Sequence, residues 1–123
     1  IDKMNDNSIQ VNRAKVLILG FTFKENCPDT RNTKIIDLVN QLKSKNMEVD
    51  VYDPLADKKA VKQEYRISLL DMVIDNYDAI ILAVAHNKFK QLPIEEIRSY
   101  GKENHIIFDL KYMYKASDTD LRL

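Results

Sequence analysis

The chain has 123 residues, 45% of them apolar, which is the size and composition of one domain with one core. Nineteen Lys and Arg balance nineteen Asp and Glu, so no broad field exists to draw in nucleic acid or a membrane surface. The single cysteine, Cys27, excludes an internal disulfide and points to a reducing, cytoplasmic compartment.

Residues 1–14 are polar, lack periodicity and the apolar core of a signal peptide, and read as a linker or arm; residues 15–123 read as the folded domain. The chain begins at Ile1 rather than a methionine and is read as a piece of a longer protein. Lys15 to Leu19 (KVLIL), closed by Gly20, has the profile of a strand buried on both faces. A loop follows to Asp29, and residues 30–45 carry Ile35, Ile36, Val39 and Leu42 at helical spacing, with Asp29 or Thr30 expected as the cap. Met47 to Tyr52 alternates as a half-buried strand does and is stopped by Asp53-Pro54. Residues 57–65 are weakly helical, and Leu69 to Asn76 is a short helix or irregular turn.

Ala79 to Ala85 is the most apolar run and the expected central strand; none of these runs is long enough to cross a bilayer. Lys88 to Tyr100 holds one or two short helices, with Pro93 at a start and Gly101 at an end. His105 to Leu110 is the last expected strand, followed by a polar tail. Strands alternating with helices predict a Rossmann-like three-layer α/β sandwich with a mostly parallel sheet. Ligands in such folds sit beyond the carboxyl ends of the strands, which directs attention to Gly20–Arg31, Asp53-Pro54, His86–Lys88 and Asp109–Lys111.

The loop after the first strand opens a helix, the usual place for a phosphate. Gly20 is its only glycine, so the dinucleotide fingerprint is absent, and Asp53 lies about 30 residues on rather than about 20. Asp53-Pro54 therefore reads as a turn. Lys24 and Arg31 carry positive charge at the mouth of this helix. An anionic ligand or a salt bridge to Glu25 or Asp29 would each compensate Arg31, and both readings stay open. His86 follows the central strand, where it either caps and packs or meets a ligand. Tyr112 and Tyr114 read as cover for the core, with stacking on a base as the alternative. Two histidines and one cysteine, far apart, give no metal site.

Gly20-Phe-Thr-Phe-Lys24, Pro28-Asp29-Thr-Arg31-Asn-Thr and Tyr52-Asp53-Pro54 resemble the C-terminal domain of the UDP-glucose/GDP-mannose dehydrogenase family. So do Asp78-Ala-Ile-Ile-Leu, Ala85-His86 and Phe108-Asp109-Leu-Lys111, in the family's order, from about Lys15 to the end. The wording FKENCPDTRNTK is most similar to the branch that oxidises UDP-N-acetylhexosamines for capsule and O-antigen polysaccharide synthesis.

The resemblance implies an NAD-dependent oxidation of a sugar C6 alcohol to a carboxylate through a cysteine thioester. An N-terminal domain of the same chain would hold NAD, a central helical part would make a homodimer or larger assembly, and this domain would close over a UDP-sugar. It implies substrate contacts from Phe23, Lys24 and Lys111, and a contact from Arg31 to the NAD held by the other domain. Vertebrate-type members have arginine at Lys111; lysine keeps the charge without the planar fork. The family's catalytic cysteine lies upstream in a Gly- and Pro-bearing context, so Cys27 is a bystander and this chain alone carries no catalytic residue. Two rivals are a non-catalytic nucleotide-binding or regulatory α/β module and a GDP-mannose dehydrogenase domain. A receiver-like signalling domain would need acids at the end of the first strand, where Leu17-Ile-Leu-Gly20 offers none.

Overall fold

A computed structural model describes Met4 and residues 9–31, 33–74 and 76–122. Its strands are Lys15–Leu19 (β1), Glu48–Tyr52 (β2), Tyr77–Leu82 (β3), Gly101–Asp109 (β4) and Leu121–Arg122 (β5). They form one sheet in the order β2-β1-β3-β4-β5, and each neighbouring pair is parallel. The helices are Ile35–Ser44 (α1), Lys58–Tyr65 (α2), Asn87–Lys90 (α3) and Ile94–Ser99 (α4), with a 3-10 turn at Ala116–Asp118.

Alternation along each strand sorts the apolar side chains into two layers. Val16 and Ile18 of β1, with Ala79 and Ile81 of β3, meet Val39 of α1 and Val61 of α2. Leu17, Leu19, Ile80 and Leu82 meet Phe89 of α3 and Ile97 of α4 on the opposite face. The expected three-layer parallel sandwich is therefore the observed one. The connections after β1 and β3 leave toward opposite faces, and between adjacent strands that divergence opens a crevice at their carboxyl ends.

Several boundaries differ from the sequence reading, each for a visible reason. The helix begun at residue 30 in the sequence starts at Ile35. Residues 29–31 are tied elsewhere: Phe23 N–H donates to the Asp29 carbonyl at 2.8 Å, and Tyr65 Oη donates to the Thr30 carbonyl at 2.6 Å. Asp29 and Thr30 do not cap α1; Thr33 Oγ1 accepts from Ile35 N–H instead. Ala83–Ala85 have left the sheet, although the N–H groups of Ala83 and Val84 still reach the Leu19 carbonyl at 3.0 and 3.3 Å. Residues 69–74 are irregular, one of the two forms expected there.

The polar tail is not loose. Asp120 accepts from Arg98 Nη1 at 3.0 Å and from Ile107 N–H at 2.8 Å, which docks β5 against β4. Residues 1–3 and 5–8 of the expected arm lie outside the described residues, while Met4 and Ile9 are buried in the α1-side core.

Gly20 is where backbone freedom is required. Its φ is +108°, and an added Cβ would stand 2.5 Å from Val84 Cβ and 2.8 Å from the Val84 nitrogen. The clash falls on backbone, so no rotamer change relieves it. Gly20→Ala is expected to destabilise the fold by about 2–4 kcal/mol, combining left-handed strain with overpacking. A lower urea midpoint at unchanged slope is the measurement, and a midpoint equal to wild type would refute the close approach.

Candidate functional site

Three strand ends meet at one buried carboxylate. Asp53, the residue after β2, accepts through Oδ2 from Phe21 N–H at 2.7 Å and Thr22 N–H at 3.1 Å, just beyond β1. The same oxygen lies 2.9 Å from Nε2 of His86, beyond β3. Its other oxygen accepts from Leu55 N–H at 2.9 Å and Ala56 N–H at 3.3 Å, which makes the Asp53-Pro54 turn expected from sequence. Both side chains are fully buried.

The hydrogen bonds fix the imidazole tautomer. Asn26 N–H points at His86 Nδ1 from 2.9 Å, so Nδ1 is an acceptor and the ring proton sits on Nε2. Nε2–H is then shared between Asp53 Oδ2 and Thr22 Oγ1, the latter at 3.1 Å. Thr22 Oγ1 spends its own proton on the Lys24 carbonyl at 2.9 Å. The pair is therefore a neutral imidazole on a carboxylate. Burial by itself would raise the Asp53 carboxyl; hydrogen bonds from His86, Phe21 and Leu55 outweigh it and hold the group below its ordinary range.

A cavity of about 280 Å³ opens beside this knot, at the carboxyl ends of β1, β3 and β4. Phe23 and Lys24 reach it from the β1 loop, Lys111 from the turn after β4, and Lys34 from the start of α1. Glu25 is the one acid in the lining, and among the described residues none of the three lysines forms an ion pair. Phe23 is 55% exposed, a large aromatic held at the rim.

Lys111 is positioned by buried Asp109. That carboxylate accepts from the N–H groups of Lys111, Met113 and Tyr114 at 3.0–3.1 Å and folds the chain back after β4. Tyr114 Oη lies 2.6 Å from the Leu92 carbonyl and 3.0 Å from that of Phe89. Burial first, and the charge of Asp109 second, push the Tyr114 hydroxyl up to about 12. Tyr114 is thus cover for the core, as expected, whereas Tyr112 is exposed.

Three of the four residues nominated from sequence converge on this cavity; Arg31 does not line it. Arg31 also lies outside α1, which removes the helix-dipole argument made for it from sequence. Its guanidinium forms a two-pronged pair with Asp29, Nε to Oδ1 at 3.0 Å and Nη2 to Oδ2 at 3.2 Å, with the arginine side chain 80% exposed. The hydrogen bonds from Arg31 hold the Asp29 carboxyl below its usual range. Of the two compensations left open in sequence, the Asp29 pair is the one formed here. Cys27 is half-buried in the same loop and outside the cavity lining.

Sequence reasoning missed Lys34 and the joint role of Thr22, Asp53 and His86. A cation one residue before the apolar stripe of α1 was a readable signal for Lys34. The Asp53–His86 pair had none, because its members are 33 residues apart and meet only through strand order. Among the described residues no cluster of His, Cys, Asp and Glu could hold a metal, and no helix is long and apolar enough to cross a membrane.

The Asp53 geometry has a pH consequence with a defined sign. A carboxyl held low in the folded state takes up its proton more readily when unfolded, so its contribution is complete above about pH 4 and fades as pH falls through the folded value. Asp53→Asn is expected to cost about 2 kcal/mol or more at neutral pH and to flatten the acid limb of the stability curve. Denaturation midpoints at pH 7 and pH 3 decide this, and an unchanged acid limb in the variant would remove Asp53 from the account.

A family model described as the UDP binding domain of the UDP-glucose/GDP-mannose dehydrogenase family matches residues 17–116. A Salmonella typhi protein named UDP-N-acetyl-D-glucosamine 6-dehydrogenase is 48% identical over all of this chain and 29% of its own length. A Pseudomonas aeruginosa protein of the same name is 45% identical over the same shares. Among solved structures, a UDP-D-ManNAc dehydrogenase from Pyrococcus horikoshii superposes with a TM-score of 0.76 at 25% identity, covering 94% of this chain and 26% of that one. An NDP-N-acetyl-D-galactosaminuronic acid dehydrogenase from Methanosarcina mazei Go1 gives 0.82 at 21% identity, covering 95% and 24%, a likeness of fold. The chain thus spans under a third of the length of these relatives. Its sheet order, the strand-end cavity and the match over residues 17–116 agree: the chain belongs to the UDP-glucose/GDP-mannose dehydrogenase family, as its UDP binding domain.

Proposed function

We propose that this chain closes over the UDP end of the substrate in an NAD-dependent 6-dehydrogenase that oxidises the C6 alcohol of a UDP-N-acetylhexosamine to a uronate. The observation that carries this reading is the convergence of Lys24, Lys34 and Lys111, with exposed Phe23, on one cavity at the ends of β1, β3 and β4. Three ammonium groups against one carboxylate leave a local excess of positive charge suited to a diphosphate. Phe23 forms the wall beside the sugar. The cavity of about 280 Å³ is smaller than the range of about 300–1,000 Å³ common for sites that enclose a whole ligand, which supports a half-site completed by another domain.

The turn after β1 does not fit a dinucleotide pyrophosphate. Its free N–H groups, from Phe21 and Thr22, already bind the Asp53 carboxylate, and Gly20 is pressed against Val84. On this reading NAD and the reactive cysteine belong to N-terminal and central parts of the same chain. Arg31, exposed and outside the cavity, would contact the NAD held there. The parent enzyme would be a cytoplasmic homodimer or larger assembly serving capsule or O-antigen synthesis.

Titration of the 123-residue chain with UDP, GDP and UDP-N-acetylglucosamine is the direct test. Lys24→Ala is expected to weaken UDP binding about tenfold, the scale of one lost charged hydrogen bond, while Arg31→Ala leaves it unchanged. A preference for GDP would overturn the substrate, and equal binding by wild type and Lys24→Ala would overturn the site. The chain by itself is expected to reduce no NAD with any UDP-sugar, and measurable turnover in a 340 nm assay would contradict the division of labour.

A further inference from the structure

We infer that His86 is a positioning residue for the nucleotide site: without touching the ligand, it sets the conformation in which the β1 loop presents Phe23 and Lys24. This rests on the site proposed above and extends it to a residue outside the cavity lining.

The loop has little packing of its own. Phe23, Lys24 and Glu25 are exposed, and Asn26 holds a left-handed φ of 58°, a conformation that a non-glycine residue keeps only when neighbours secure it. His86 secures it from both sides of Lys24. On the near side, Nε2–H supports Thr22 Oγ1, and that hydroxyl in turn holds the Lys24 carbonyl at 2.9 Å. On the far side, Nδ1 accepts the Asn26 N–H at 2.9 Å. A reciprocal bond at 2.8 Å from Asn87 N–H to Asn26 Oδ1 ties the same residue to the backbone beside His86.

Each ring nitrogen thus has a separate task, and only one tautomer performs both. Asp53 selects it, because a carboxylate next to Nε2 requires the proton there and leaves Nδ1 free to accept. Among the described residues the loop's other hydrogen bonds are Thr22 N–H to Asp53 Oδ2 at 3.1 Å, at its start, and Phe23 N–H to the Asp29 carbonyl at 2.8 Å. The ring is fully buried, tilted at 46° against Phe89 with centroids 5.5 Å apart and bonded to Asp53 at 2.9 Å, so its position is anchored outside the loop. Causation therefore runs from the imidazole to the loop. The apparent affinity of a site falls in proportion to the fraction of molecules in the competent conformation.

Three substitutions separate the two tasks. His86→Gln keeps a donor near Nε2 and drops the Asn26 bond; His86→Asn keeps an acceptor near Nδ1 and drops the Thr22 bond; His86→Leu drops both. UDP affinity is read well below each variant's unfolding midpoint, and ¹⁵N relaxation of residues 22–26 reports loop order without ligand. His86→Leu is expected to bind UDP about tenfold more weakly, as when the competent fraction falls to about a tenth. His86→Gln and His86→Asn should each recover part of the loss, with disorder confined to the half of the loop that lost its bond. If His86→Leu does not fold, the Gln and Asn pair still decides the matter.

Wild-type UDP affinity and unchanged relaxation in the Gln and Asn variants would overturn the inference. So would a uniform loss of order over the whole sheet, which marks a merely structural role. Failure of the wild-type chain to bind UDP would instead overturn the site reading, while relaxation of residues 22–26 would still judge the positioning role.

Discussion

The rest of the site depends on the placement of one internal anion. A turn leaving the end of a strand in a parallel sheet exposes N–H groups that bind negative charge, and in many α/β proteins a phosphate takes that place. Here Asp53 takes it, accepting from Phe21 and Thr22 with the β1 turn closed down on Val84. A carboxylate in such a position costs desolvation, and five hydrogen bonds to its two oxygens repay it. Because the N–H groups of Phe21 and Thr22 are already engaged by Asp53, on the proposed reading recognition of an external anion passes to side chains. That is why the cations at this crevice are lysines on three separate elements rather than backbone donors on one.

This division has a mechanical consequence. Backbone N–H groups are rigid donors, whereas a lysine loses side-chain freedom when it binds, roughly 1.5–2 kcal/mol for complete immobilisation. A site built from lysines needs well-placed stems to limit that loss. The molecule supplies them through buried acids: Asp53 with His86 beneath Lys24, and Asp109, which accepts from the amides of Lys111, Met113 and Tyr114. The charges proposed to recognise the ligand stand in solvent, while the acids beneath them are buried.

The fold was legible because its signals are local. Lys15–Leu19 reads as doubly buried, and the structure places it between two strands; Met47 to Tyr52 alternates, and β2 is an edge strand. The start of α1 was misplaced because Thr30 is held by Tyr65, a partner 35 residues away that periodicity does not report. The same distinction governs the site. Phe23, Lys24 and Lys111 were reachable through short motifs that resemble a family, and the cavity brings them together. His86 was read as a local cap or a ligand contact. It stands at the N-cap of α3 without a side-chain cap bond, and its ring nitrogens serve Asp53, 33 residues earlier, and Thr22 and Asn26, 60 or more earlier.

Arg31 shows how an exposed ion pair fits this arrangement. In the free chain Asp29 holds the guanidinium flat and bidentate, away from the cavity and largely in water. Pairs this exposed contribute about 0–1 kcal/mol, so little stability is lost if Arg31 exchanges Asp29 for another anion. Lys24 and Lys111, by contrast, stand on buried frameworks whose disruption would reach the core. On the proposed reading the nucleotide end of the substrate would meet preset groups. The contact across the domain boundary would fall to the one cation whose present partner is easily exchanged. That places adaptability where two domains must move relative to each other, and rigidity where a diphosphate must be held in register.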